Sequence, residues 1–209
     1  MTAISRHARQ SNTSQIDVEW LAWDVLTDSD HPPASIANRS FDAVVWAQGA
    51  NCNDDIYTFD IKAHETLYAA NVSYILVSLQ TLLKYNLLAK TARLCIISSI
   101  WQNLARQHKL SYCITKSALQ GLVQSLVIDL GRAGHLVNSV LPGALDTPMT
   151  RANLNGEQIN RLEAATPLGH LPELRDVCHL VSFLCSQENT GITGQFIAAD
   201  KGFSYARII

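Results

Sequence analysis

Strand-like and helix-like segments alternate along this 209-residue chain, and that alternation limits its fold more than any single residue does. VEWLAW (18–23), FDAVVWA (41–47), RLCIISS (93–99), HLVNSVLP (135–142) and QFIAA (195–199) are short apolar runs rich in β-branched and aromatic side chains, and they read as strands. Helical periodicity fills the intervals. Leu67, Ala70, Tyr74, Val77 and Thr81 share one face over 61–85. Leu119, Leu122, Val123, Leu126, Val127 and Leu130 keep i, i+3, i+4, i+7 spacing in a later helix, which Gly131 and Gly134 stop. A short helix near 156–165 and another from Pro172 to about Ser186 complete the series. Near-continuous apolar strands separated by helices predict an α/β fold, a parallel sheet covered on both faces. The polar connectors, 7–15 and 27–40, are short and nothing repeats, so 1–209 reads as one domain.

Composition narrows the function. At 47% hydrophobic and 16% charged residues, the chain can bury a sizeable core. A net charge of -2 without any Lys/Arg run weighs against nucleic acid or an anionic membrane as partner. No uninterrupted apolar stretch reaches the length of a membrane span, and the polar start MTAISRHARQ is no secretory signal. The five cysteines (Cys52, Cys95, Cys113, Cys178, Cys185) form no CxxC pair and sit mostly in apolar runs; reduced core thiols in a cytoplasmic protein are expected. HETLY (64–68) lacks the second His of a zinc-binding HExxH, so no metal site is expected. No GxSxG elbow and no GxxxxGK[ST] loop occurs either.

The chemistry concentrates in SYCITKSALQ (111–120). A helix places Tyr112 and Lys116, four apart, side by side. A phenol titrates near ~10, and an adjacent ammonium favours its ionised form. A Tyr tuned in this way can give or take a proton near neutral pH. YxxxK alone also occurs on ordinary helix surfaces, but other residues gather round it. Ser98 and Ser99 end a strand, and ligands of open α/β sheets bind outside the carboxyl ends of strands. Asn71 interrupts a helix, where Asn is a mediocre former, which suggests a polar task. AQGA (47–50) follows another strand, with Gly49 permitting close backbone approach. LPGALDTPM (141–149) opens a loop on the same edge, with Thr147 placed to bond a ligand amide.

From about Ile16 to Gly202 these residues resemble the short-chain dehydrogenase/reductase family. Asn71, Ser99, Tyr112 and Lys116 meet the pattern Asn…Ser-x12-Tyr-x3-Lys, and Pro142, Gly143 and Thr147 meet the Pro-Gly-x3-Thr element. AQGA stands where the family has NNAG, Gln48 being the departure; in TGQFIAADKG (193–202), Lys201 replaces a Gly.

The resemblance implies a Rossmann-like, doubly wound parallel sheet. It implies hydride transfer between NADP or NAD and a small-molecule carbonyl or alcohol. Tyr112 would be the general acid or base, made more acidic by Lys116, which would also hold the nicotinamide ribose. Ser99 would bond the substrate oxygen, and Asn71 would hold a water in a proton relay behind Lys116. Asp24 and Val25 would lie at the adenine, with Ala47, Gly49, Pro142, Gly143 and Thr147 along the rest of the cofactor. Arg6 and Arg9 would contact a 2′-phosphate, favouring NADP, or else are solvated charges. Assembly as a homodimer or homotetramer through helices 61–85 and 112–130 is also implied.

One family element has no counterpart here. The strand and TGxxxGxG turn that hold the diphosphate at a helix N-terminus are absent from the 209 residues, so the fold is expected to be N-terminally truncated. AISRHARQ then corresponds to the family's second strand. The vacated place, mid-sheet, would have to be closed by TAIS (2–5) sliding in, by VEWLAWD pairing with FDAVVWA, or by a partner chain. Loss of the cradle also keeps a non-redox reading open: a pseudoenzyme, a regulatory or ligand-binding subunit, or a cofactor-independent isomerase or dehydratase.

Overall fold

The computed structural model describes residues 1–6, 18–28, 31–147, 150–151 and 154–206. Strands β3 (Phe41–Trp46), β4 (Leu88–Ile97), β5 (Leu136–Pro142) and β6 (Phe196–Ala199) form a parallel sheet in that order. Alternate residues of β4 serve opposite faces, as a pleated strand requires. Leu94 and Ile96 enter one core cluster, and Cys95 enters the other. The first cluster is covered by helices α2 (Tyr74–Lys84) and α3 (Leu110–Gly131), through Ile75, Leu79, Leu119 and Val123. The second is covered by α5 (Leu174–Cys185), which follows the short α4 (Gly156–Ala164) and contributes Val177 and Leu184. The sheet is therefore wound on both faces, as the alternation predicts. Fully burying each such aliphatic side chain is worth roughly 1.5–3 kcal/mol.

Helix α1 (Ile61–Tyr68) runs without a break into a π turn, Ala69–Ser73, and then into α2. This corrects the membrane expectation in one respect. The continuous helix Ile61–Lys84, 24 residues, is long and apolar enough by composition to cross a membrane. Counting uninterrupted apolar residues missed it because Lys62, His64 and Glu65 punctuate its first turns. Here Leu67, Val72, Ile75, Leu79 and Leu82 of this helix are buried within the fold.

The remaining strands stand apart. β1 (Thr2–Ser5) pairs in parallel with β2 (Glu19–Ala22), and these make a separate two-stranded sheet. Two of the expected closures are thus corrected. TAIS takes β2 rather than β3 as its neighbour, and VEWLAWD does not pair with FDAVVWA. Side chains join the two sheets where backbone does not: Trp23 and Trp46 are buried in the cluster that Ile4, Leu21 and Phe41 pack against. The indole N–H of Trp46 donates to Ser78 Oγ at 2.8 Å, and that of Trp23 donates to the Asp28 carbonyl at 3.2 Å. Ile36, in the polar connector 27–40, is fully buried in the same cluster. All five cysteines are free thiols, but the core-thiol expectation needs amending, because Cys178 is exposed and only Cys95 is fully buried.

Candidate active site

The carboxyl ends of β3, β4 and β5 point the same way because the sheet is parallel, and helix α3 crosses that edge with its first turns. The start of α3 has no side-chain cap of its own. Asp54, in the loop after β3, supplies one. Its carboxylate accepts the Ser111 backbone N–H at 3.0 Å, and a carboxylate there also suits the positive end of the helix dipole. Lys109 fastens the same loop. Its buried ammonium donates to Asn51 Oδ1 (2.8 Å), the Cys52 carbonyl (3.0 Å) and Asn53 Oδ1 (2.6 Å). Burial lowers the Lys109 pKa from the usual lysine value. The sequence reading passed over Lys109 and Asp54; the signal was a Lys just ahead of the helix and a polar NCND after the strand.

Tyr112, one turn into α3, lies under two cations. The Lys116 ammonium is 5.7 Å from the centre of its ring and that of Lys109 is 5.9 Å away. Where the spacing predicts a phenol made acidic by Lys116, burial raises the Tyr112 pKa, and hydrogen bonding with Ser99 only partly opposes that. Lys116 is itself buried, donates to the Ile97 carbonyl at 3.2 Å, and has its pKa lowered by burial to about 8. Ser99 caps the 3-10 turn Ile100–Gln102, its Oγ accepting the Trp101 N–H at 3.3 Å.

Asn71 sits in the π turn and is buried. Its Oδ1 accepts the Ala50 N–H at 2.7 Å. Its amide donates to the Ala50 carbonyl at 3.1 Å and to Thr115 Oγ1 at 2.9 Å. Thr115 in turn donates to the Tyr112 carbonyl at 2.9 Å. Both side-chain donors of Asn71 are therefore spent on protein, so a water at Asn71 would be held by its oxygens. A Cβ added at Gly49 would stand 3.3 Å from Asn71 Oδ1 and 3.8 Å from Lys116 Nζ, so this glycine keeps room beside both. Asn71, Ser99, Tyr112, Lys116 and Gly49 are thus brought together, with Ala47 opening the same loop.

The remaining predicted residues divide. Thr147 Oγ1 already accepts the Thr150 N–H at 3.2 Å and bonds its hydroxyl at 3.1 Å. Gly143 is required by packing, since a Cβ there would fall 3.0 Å from Asp200 Cβ and 3.3 Å from Pro172; Pro142 closes β5 beside it. Val25 is fully buried, backbone included, so it offers a ligand no exposed contact in this structure. Arg6 and Asp24 follow β1 and β2, and both act on the titration of Tyr74, so the three form one polar group at that end. Burial and Asp24 raise the Tyr74 pKa, and Arg6 opposes them. Arg9 lies outside the described residues.

A family model described as enoyl-(acyl carrier protein) reductase matches residues 33–204. The chain belongs to the short-chain dehydrogenase/reductase family. Among members of this family, L-rhamnose 1-dehydrogenase (NADP(+)) of Thermoplasma acidophilum is 32% identical over 151 residues, covering 71% of this chain and 59% of that protein. Human (3R)-3-hydroxyacyl-CoA dehydrogenase is 35% identical over 106 residues, 51% of this chain and 40% of its own length. Aldohexose dehydrogenase of T. acidophilum superposes with a TM-score of 0.84 at 20% identity, covering 100% of this chain and 85% of that one. Gluconate 5-dehydrogenase of Burkholderia cenocepacia, solved with NADP and tartrate, gives 0.83 at 21% identity over 91% and 76%. The two solved structures thus share this chain's fold, and the chain spans 59% or less of the length of the curated relatives named here.

Proposed function

We propose that this chain interconverts a carbonyl and an alcohol with NADP or NAD, and that Tyr112 handles the proton. The observation that carries this reading is the convergence of Tyr112, Ser99 and Lys116 beside Gly49, on the edge where open α/β sheets bind ligands. Two buried polar atoms at that edge, Ser98 Oγ after β4 and Gln48 Nε2 after β3, have no hydrogen-bond partner among the described residues. Such orphans are rare and call for a partner, and a nicotinamide dinucleotide offers ribose hydroxyls and a carboxamide. A bound dinucleotide would supply the hydride, which no side chain can.

The protein's own part follows from its geometry. With its pKa raised, Tyr112 is protonated at neutral pH and stands ready as a donor to a carbonyl oxygen. Ser99, within bonding reach of that phenol, holds the same oxygen. Lys116 presents a buried amine at the ribose position, and Asn71 and Thr115 fix the backbone on either side. Tyr74, Arg6 and Asp24 would receive the adenosine end, Arg6 favouring a 2′-phosphate. Exposed Tyr68, Leu76, Ile114 and Ile128 on the long helices support a homodimer or homotetramer.

The non-redox alternative has one specific support. No described strand bridges β1 and β3, where the diphosphate would be held. Calorimetric titration separates the two: heat of binding with NADPH or NADH is expected, and none at millimolar concentration of either overturns the oxidoreductase reading.

A further inference from the structure

Two residues beyond Ser99 the molecule has an open groove of about 460 Å³ lined mostly by apolar residues. That volume lies within the usual range for small-molecule sites. Trp101, Leu104, Ala105, Ala165, Phe203 and Ala206 line it, and the side-chain polar groups on its wall are the Ser204 hydroxyl and the Trp101 indole N–H. It is not where the sequence pointed. The apolar loop at 149–170, with Leu154 and Leu168, reads from sequence as the border of the substrate site, yet neither leucine lines this groove, and Leu168 is largely exposed.

The groove is tied to the reacting end through Trp101. The backbone N–H of this residue donates to Ser99 Oγ, so its ring begins two residues from the hydroxyl assigned to the substrate oxygen. The ring is held from two sides. Phe203 meets it edge-on at 6.3 Å between centroids, and the Arg106 guanidinium stacks over it at 5.9 Å. Phe203 is itself placed by Asp200, whose carboxylate accepts the N–H groups of Gly202 (3.0 Å) and Ser204 (2.7 Å) around it. Trp101 and Phe203 also wall a narrow cleft that reaches Ala144, next to Gly143 at the carboxyl end of β5. An aromatic corner fixed in this manner is a preformed surface, which binds without first paying to order its side chains.

We infer that the substrate is a ketone or secondary alcohol borne on an apolar ring system or chain, which lies against Trp101 and Phe203. This rests on the oxidoreductase reading for the carbonyl and goes beyond it for the rest of the molecule. A sugar of the same size would bring several hydroxyls to a wall with two polar side-chain groups. Each hydroxyl stripped of water without a partner weakens binding, so polyols are disfavoured. The alternative class is a real one, because the relatives include a rhamnose dehydrogenase as well as a hydroxyacyl-CoA dehydrogenase.

The test measures binding first and turnover second. Calorimetry with 1-indanol and with glucose is run on the full chain and on two variants, Phe203→Ala and Leu104→Glu. Circular dichroism checks that each variant folds; Leu104 is half-buried, on a surface turn, and tolerates a charge. The expected result is that 1-indanol binds, that either folded variant weakens it tenfold or more, and that glucose binds at least tenfold more weakly. Glucose binding as tightly as 1-indanol, or 1-indanol affinity unmoved by the folded variants, overturns the inference. Absence of NADPH-linked reduction of 1-indanone despite intact 1-indanol binding would count against the oxidoreductase reading alone.

Discussion

The two ends of the proposed ligand edge are built to different standards. Around Tyr112 the ties are many: Asp54 caps the helix, Lys109 grips the loop before it, and Asn71 welds Ala50 to Thr115. At the other end, β1 and β2 form a two-stranded sheet joined to the rest by packed indoles rather than by a ladder of backbone bonds. The contrast teaches where the fold invests its constraint. The elements that carry Tyr112 are cross-tied by side-chain hydrogen bonds, whereas the adenosine end relies on Arg6 and Asp24, just past two short strands, and on Tyr74 at the start of α2. Catalysis depends steeply on position and cofactor affinity less so.

The sharpest way to break this contrast is Tyr112→Phe. Loss of one proton donor should cut NADPH-linked reduction about a thousandfold, with the thermal midpoint unchanged. A variant that kept a tenth of the rate would remove Tyr112 from the chemistry. Next comes Lys116. Its folded pKa of about 8 lies below the usual 10.5, so the charged form is disfavoured by folding. Between those values the unfolded chain holds the extra proton, and stability therefore rises with pH across that window. The full change is up to about 3 kcal/mol. Tyr112, with its raised pKa, takes stability away only above ~10. Denaturant melts from pH 7 to 10 should show the rise in the native protein and a smaller one in Lys116→Met, where Lys109, also lowered by burial, keeps its share.

Lys109→Met tests the latch. Removing a buried cation that serves three acceptors should cost about 2 kcal/mol and speed amide exchange at residues 50–54. Slow exchange there in the variant would mean that the loop is held by something else. The smallest effect belongs to the loosely built end. Arg6→Ala should raise KM for NADPH about tenfold, roughly 1.4 kcal/mol, while leaving KM for NADH alone. Equal changes for both would assign Arg6 to general electrostatics.

The order of strands and helices was legible because apolar periodicity carries it, and β3 and α3 begin within a residue of where their patterns do. Tyr112, Ser99 and Lys116 were legible because their spacing is short-range and topology brings strand ends together. Three things were not. The direction of the Tyr112 shift depends on burial, which no local motif encodes. Ile36 looks like part of a polar connector, and only its neighbours in space make it core. Trp101 and Phe203 are about a hundred residues apart, and nothing in either neighbourhood announces the corner they form.

The π turn at Ala69–Ser73 has a consequence for how this chain can change. Each helical residue advances the direction of its side chain by about 100°. Tightening it to an ordinary helix with every residue kept would swing Leu67 by about that angle out of step with Ile75, Leu79 and Leu82, all of which are buried. Deleting one residue along with the tightening would keep those faces aligned, but would displace Asn71. The widened turn thus answers to the carboxamide it carries rather than to the hydrophobic interior.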